Sequence, residues 1–194
     1  KLPLYQTYST LIVGESIADL IQQGYLCEGQ TVNFDVNLSS LRVGNNGEFT
    51  VGSHELLYTQ AMMQSKLIDA YDEYGKGKKT LIFNAGILTS RVVYETFKKK
   101  GYPVRHLDST FNERDRAETL EWFRNTKDGV LTSVSILTTG FDEPEVETII
   151  LNRATKSLTL YHQMIGRGSR VLANKKTFNI VDLGNNSRRF NLWQ

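Results

Sequence analysis

The sequence predicts an α/β protein built on a parallel sheet covered by helices on both faces. Two observations carry that expectation. Five short runs, 80–84, 104–108, 129–133, 148–152 and 178–182, read as continuous apolar segments rather than alternating ones, as strands buried on both faces do. Stretches with helical spacing at 90–100, 112–125 and 157–171 separate them, and strands that alternate with helices pair in parallel. In such sheets ligands sit beyond the carboxyl ends of the strands, so the residues that follow strand ends are the first to inspect.

The segment before these runs reads differently. Residues 16–26 have apolar positions at helical spacing and predict a short helix closed by Gly24. From 31 to 38, Val32, Phe34, Val36 and Leu38 alternate with Thr31, Asn33, Asp35 and Asn37, the period of a half-buried strand. Gly44-Asn45-Asn46-Gly47 predicts a turn. A helix is expected from 56 to 74, broken by Gly75-Lys76-Gly77-Lys78-Lys79, whose lysines read either as a solvated loop or as phosphate contacts.

Composition removes several function classes. With 40% hydrophobic and 23% charged residues the chain is neither disordered nor fibrous. A net charge of +2 leaves a nucleic-acid partner open without announcing one. One cysteine, Cys27, excludes an internal disulfide and fits a reducing, cytoplasmic compartment. No run of about 18 apolar residues predicts a membrane span. His54, His106 and His162 lack metal-ligand spacing, so no zinc site is expected. The first residue, Lys1, predicts a piece of a longer protein.

The most informative segment is 161–170. Gln163, Arg167 and Arg170 are spaced i, i+4 and i+7, which on a continuous helix brings all three to one face. Arginine offers a planar fork to phosphate oxygens, and Gly166 and Gly168 allow close backbone approach. The alternative is a helix end carrying two solvated arginines.

Gln163-Met164-Ile165-Gly166-Arg167-Gly168-Ser169-Arg170 resembles motif VI of superfamily 2 helicases and translocases, Gln-x-x-Gly-Arg-x-x-Arg. Upstream, Leu137-Thr138-Thr139-Gly140-Phe141-Asp142-Glu143-Pro144 is similar to motif V as found in DEAD/DEAH-type and restriction-enzyme motor proteins. Thr80-Leu81-Ile82-Phe83-Asn84 is similar to motif IV. The three occur in the family's order, and the resemblance covers roughly residues 78 to 187.

The resemblance implies a C-terminal RecA-like motor lobe over residues 56–194, with 1–55 as an interlobe connection or N-terminal extension. It implies catalytic roles for Arg167 and Arg170, and nucleotide contacts for Gln163, Gly140 and Asp142, with Asp142 accepting from a ribose or orienting a motif VI arginine. Nucleic-acid contacts fall to Thr138, Thr139, Arg116, Ser109 and Phe83. Hydroxyls at Thr138 and Thr139 suit backbone phosphates, whereas Phe83 reads equally as a core strand residue and Arg116 equally as part of an exposed helix start. Val134 departs from the pattern, standing where many relatives have a threonine. ATP is the implied cofactor, with magnesium held by an N-terminal RecA-like lobe of the same polypeptide. Nucleic acid is the implied partner, DNA ahead of RNA, with no membrane.

A Walker A segment, Gly-x-x-x-x-Gly-Lys-Ser/Thr, does not occur in the 194 residues, and no Asp-Glu-x-x motif for magnesium and the attacking water is read in them. Two rivals stand beside the motor reading: a scaffold or nucleic-acid-binding module of the same fold, and the motor subunit of a restriction endonuclease. A dinucleotide enzyme is disfavoured, because no Gly-x-Gly-x-x-Gly opens a helix after the first strand. Purified by itself, the chain is expected to release no phosphate from ATP, with or without DNA or RNA. Nucleic-acid-stimulated turnover in a phosphate-release assay would contradict the reading of half an ATP site.

Overall fold

The computed structural model describes residues 14–134 and 142–193. Its centre is a six-stranded sheet in which every pairing is parallel, with strand order β1-β6-β5-β2-β4-β3. The strands are β1 (Glu28–Asn33), β2 (Thr80–Asn84), β3 (Val104–Leu107), β4 (Val130–Val134), β5 (Thr148–Asn152) and β6 (Thr177–Asp182). Both β2 and β5 are buried at every position, as their unbroken apolar sequences require.

Side-chain alternation along β2 separates two cores. Leu81 and Phe83 point to the face covered by α5 (Glu113–Asn125) and α6 (Leu158–Ile165), where Phe123, Tyr161, Met164 and Ile165 pack. Ile82 points to the opposite face, under α2 (Val51–Tyr58), α3 (Ala61–Tyr74) and α4 (Ile87–Lys99). Two short helices flank these, α1 (Ile17–Gln22) and α7 (Asn186–Phe190). Among the described residues no helix is long and apolar enough to cross a membrane.

The helix expected at 16–26 is α1, capped by Ser16 in a capping box with Asp19 and followed by Gly24 at φ +78°. The turn at 44–47 forms, with Gly47 N–H donating to the Gly44 carbonyl at 2.9 Å. The strand expected at 31–38 is shifted. Pairing with β6 runs from Glu28 to Asn33, and Phe34 N–H makes the last bond, to the Asp182 carbonyl at 3.1 Å. Beyond it the chain stays extended enough for Phe34, Val36 and Leu38 to pack inward, so the alternation reports one-sided burial rather than strand pairing. The helix expected from 56 to 74 is two helices. Gln60 is extended (φ −62°, ψ 143°), and this break lets Tyr58 and Met63 reach the same core from separate axes.

The polar residues that end the strands join in one buried network. Asn152 Nδ2 donates to Asn84 Oδ1 at 2.8 Å, and Asn84 Nδ2 donates to Thr132 Oγ1 at 2.8 Å. Thr132 meets Ser90 at 2.9 Å, Ser90 Oγ meets His106 Nδ1 at 2.8 Å, and His106 Nε2 meets Asp108 Oδ2 at 2.7 Å. Burial costs the Asp108 carboxylate hydration, but hydrogen bonds from Thr110 and His106 outweigh this and hold its pKa down at about 2. Burial lowers the His106 pKa more than Asp108 raises it, so the ring is neutral at pH 7. The donor directions then follow: Asn152 to Asn84, Thr132, Ser90, His106 and finally Asp108. Asp–His–Ser connectivity resembles a hydrolase triad, but Ser90 is 0% exposed and meets no substrate.

Burial also lowers the pKa of His54, whose Nε2 lies 2.9 Å from the Ala154 carbonyl oxygen. A histidine with a depressed folded pKa contributes stability that is complete above the unfolded value of about 6.5 and lost as the pH falls below it. The urea midpoint is therefore expected to be lower at pH 5.5 than at pH 7.5. Replacing His54 and His106 together by glutamine should flatten that slope, and equal wild-type midpoints at the two pH values would refute the assignment.

Candidate functional site

Helix α6 decides where the arginines go. Ser157, its N-cap, follows the carboxyl end of β5, and its Oγ accepts from Leu160 N–H at 3.2 Å. The helix ends at Ile165 and does not continue to 171. Gly166 caps it, Arg167 N–H donates to the Met164 carbonyl at 3.3 Å, and Gly168 N–H to the Ile165 carbonyl at 2.9 Å. Arg167 and Arg170 therefore do not extend a helical stripe with Gln163; they leave from a turn and from the strand-like segment after it.

A β-carbon on Gly168 would stand 2.3 Å from the Phe178 ring and 3.0 Å from Ile149 Cγ1. Both contacts lie near the amino ends of β6 and β5, so glycine is what lets the turn sit directly on the sheet. The arginine turn thus lies at the amino end of the sheet, not beyond its carboxyl ends as the general rule for such sheets led us to expect. It is fastened to the lead-in of β1: Leu26 bridges Arg170, Cys27 N–H donates to the Ser169 carbonyl at 2.8 Å, and Cys27 Sγ to the Arg170 carbonyl at 3.1 Å.

The three predicted side chains nevertheless converge. Gln163, Arg167 and Arg170 line one open groove of about 500 Å³ together with Thr159, His162 and Trp193. Arg170 Nε donates to Asp142 Oδ1 at 3.0 Å, so the motif V carboxylate fixes the direction of one guanidinium. Arg167 is half-buried; burial and then the charge of Arg170 lower its pKa, while Asp142 opposes both. Arginine remains charged throughout such shifts.

The other candidates separate from this group. Ser109 is exposed in the turn after β3, and Arg116 is half-buried in the first turn of α5, both at the carboxyl end of the sheet. Phe83 is 1% exposed and packs in the core beneath α5 and α6, so it cannot stack on nucleic acid. Its neighbours in register, Ser133 and Leu151, leave its ring no path to the surface. Thr138, Thr139 and Gly140 lie outside the described residues.

Two features escaped sequence reasoning. Asn186 is fully buried: its side chain donates to the Arg153 carbonyl at 2.8 Å and to Asp182 at 2.9 Å, and accepts from Thr155 N–H at 2.8 Å. Lys79, read as part of a charged loop, is 1% exposed and paired with Glu145 at 2.8 Å. The signal for Asn186 was a polar pair directly after an apolar strand; for Lys79 it was Glu143 and Glu145 flanking a proline, acidic residues with a cation still to find.

Residues 62–171, more than half of the chain, match the helicase conserved C-terminal domain. A 51.5 kDa protein of a Lactococcus phage (isolate 7-9) is 27% identical over 177 residues, covering 91% of this chain and 38% of its own length. IRC3 of Saccharomyces cerevisiae, assigned as an ATP-dependent helicase, is 27% identical over 192 residues, 94% of this chain and 27% of that protein. The chain thus spans well under half of the curated relatives it matches. A fragment assigned to the HsdR subunit of a type I restriction enzyme from Vibrio vulnificus YJ016 superposes with a TM-score of 0.73 at 21% identity, over 96% of this chain and 38% of that one. Parallel order β1-β6-β5-β2-β4-β3 and the match that runs into the arginine turn agree, and the chain belongs to the helicase conserved C-terminal domain family, the C-terminal RecA-like lobe of superfamily 2 helicases.

Proposed function

We propose that this lobe completes the ATP site of a superfamily 2 helicase or translocase by presenting Arg167 and Arg170 across a cleft to a nucleotide held, with magnesium, on an N-terminal lobe of the same polypeptide. The observation that carries the reading is the convergence of Gln163, Arg167 and Arg170 on one groove, with Arg170 held by Asp142 at 3.0 Å. Two guanidiniums and a primary amide form a donor set suited to phosphate oxygens, and a groove of about 500 Å³ leaves room for part of a nucleotide. Among the described residues no group of three His, Cys, Asp or Glu side chains is placed to hold a metal ion.

Bound nucleotide would supply the phosphoryl group that is transferred to water. The chain's own contribution is electrostatic and positional. One arginine neutralises charge developing on the phosphoryl oxygens, and the other reports whether the lobes are closed. Gln163 and Asp142 keep both aimed, and Gly140 is assigned a nucleotide contact through its backbone amide. Nucleic acid, DNA ahead of RNA, runs along the other end of the sheet past Ser109 and Arg116, gripped by its phosphates rather than its bases, with Thr138 and Thr139 assigned the same kind of contact. Residues 1–55 form the connection to the other lobe or an N-terminal extension, with β1 paired into this lobe's sheet. Closure and reopening of the cleft would then move nucleic acid past these contacts.

In the protein that carries both lobes, Arg167→Ala and Arg170→Ala are each expected to lower ATP turnover by roughly 10³-fold or more. Lysine at either position should not restore it, because the planar fork is lost. The melting temperature of the Arg170 variant should hardly move, since an ion pair this exposed contributes about 1 kcal/mol at most. Near-normal ATPase activity in both variants, with unchanged melting, would sink the proposal.

A further inference from the structure

Residues 142–145 are held one after another by cations from other parts of the chain. Asp142 takes Arg170. Glu143 lies 3.7 Å from Lys79 Nζ and 4.0 Å from Arg124 Nε. The Pro144 carbonyl accepts from Lys175 Nζ at 2.7 Å, and Glu145 accepts from Lys79 Nζ at 2.8 Å. Lys79 stands one residue before β2, and Lys175 two residues before β6, so both clamp this segment at the amino end of the sheet, where the arginine turn also lies.

The Lys79 ammonium is placed with little freedom. Besides its two carboxylates it donates to the Arg124 carbonyl at 2.8 Å, and it sits 5.4 Å from the centre of the Phe123 ring. An ammonium has three donors; this one donates to the Arg124 carbonyl and to Glu145 and stands at ion-pair distance, 3.7 Å, from Glu143. Burying it demands that all be present, since an unpaired ammonium in the core is strongly unfavourable. One cation therefore fixes two carboxylates on either side of Pro144, whose ring already restricts the backbone. Lys175, itself 6% exposed, fixes the carbonyl between them.

We propose that Lys79, with Lys175, is a positioning residue for the ATP site: by pinning 143–145 it sets where the Asp142 carboxylate stands, and through it the aim of Arg170. This rests on the reading of Arg170 given above. Neither lysine reaches the groove, and both act through the segment they hold. Asp142 is exposed and among the described residues its side chain bonds to Arg170 alone, so the pinned backbone behind it is what gives the Arg170 pair a fixed origin.

The test is a double-mutant cycle in the protein that carries both lobes, with Lys79→Met, Arg170→Ala and the pair. Lys79→Met is expected to lower kcat roughly ten- to hundred-fold, the scale of a misplaced catalytic group, with a much smaller change in KM for ATP. In the Arg170→Ala background it should lower kcat no further, because both changes remove the same interaction. Glu145→Gln, which loosens the clamp while leaving Glu143 on the ammonium, is the variant expected to fold normally and to show a smaller loss of the same kind. Hydrogen exchange at the Glu145 and Val146 amides, measured without nucleotide, should quicken in both clamp variants. Additive losses, or unchanged exchange and kcat in Glu145→Gln and Lys79→Met, would overturn the clamp while leaving the arginine reading intact. Undiminished turnover in Arg170→Ala alone would overturn the clamp together with the role given to Arg170.

Discussion

A parallel sheet forces every crossover to carry the chain from the carboxyl end of one strand back to the amino end of the next. In this lobe α6 makes that return between β5 and β6. It begins at Ser157 beside the strand ends and finishes at Ile165, so whatever follows it is delivered to the opposite rim. The arginine turn is therefore at the amino end because the sheet is parallel, and Gly168 lets it settle there against Phe178 and Ile149. Ser109 and Arg116 stay at the carboxyl end, where β3 ends and α5 begins. The one directional constraint separates the two sets of candidate contacts by the length of the sheet.

Polar chemistry is distributed unequally between the two rims. At the carboxyl end neutral side chains from Asn152 to His106 are threaded into a chain of donors that ends on Asp108. Arg91 lies 3.6 Å from that carboxylate, and the buried Asp182 accepts from Asn186 and Ser187. The network joins the strand ends to one another, while Ser133 Oγ, Asn152 Oδ1 and Arg153 Nε are buried there without a hydrogen-bond partner among the described residues. At the amino end the contacts are ionic: Lys79 with Glu143 and Glu145, and Arg170 with Asp142. The strength of such ionic contacts depends on what else is near and how much water is present.

The comparison between sequence and structure is sharpest in α6 and its neighbours. The runs at 80–84 and 148–152 are strands with those bounds, because an unbroken apolar run of five residues has only one comfortable place in an α/β protein. The helix expected to reach 171 stopped at 165. Two glycines separated by one residue were visible at 166 and 168, and they mark where the backbone leaves the helix to approach Phe178. Phe83 carried two meanings in the sequence, and burial selects the core. At 31–38 the alternating pattern correctly marked the inward side chains, yet pairing stopped at Asn33 because β6 ends at Asp182 and offers no further partner.

Local chemistry in the sequence was enough to determine the α/β class, most strand positions and the helices that begin near 16 and 112, and the family resemblance grouped Gln163, Arg167 and Arg170, which do converge on one groove. These depend on period, capping and residue type, which are properties of neighbours along the chain. Only the tertiary structure decided that the arginines leave from a turn at the amino rim, that Asp142 meets Arg170 across 28 positions, and that Lys79 is a buried counter-ion for Glu143 and Glu145. Each of those is a meeting between segments far apart in sequence. Its geometry is set by how helices return across the sheet, and no local pattern encodes the distance at which two such segments come to rest.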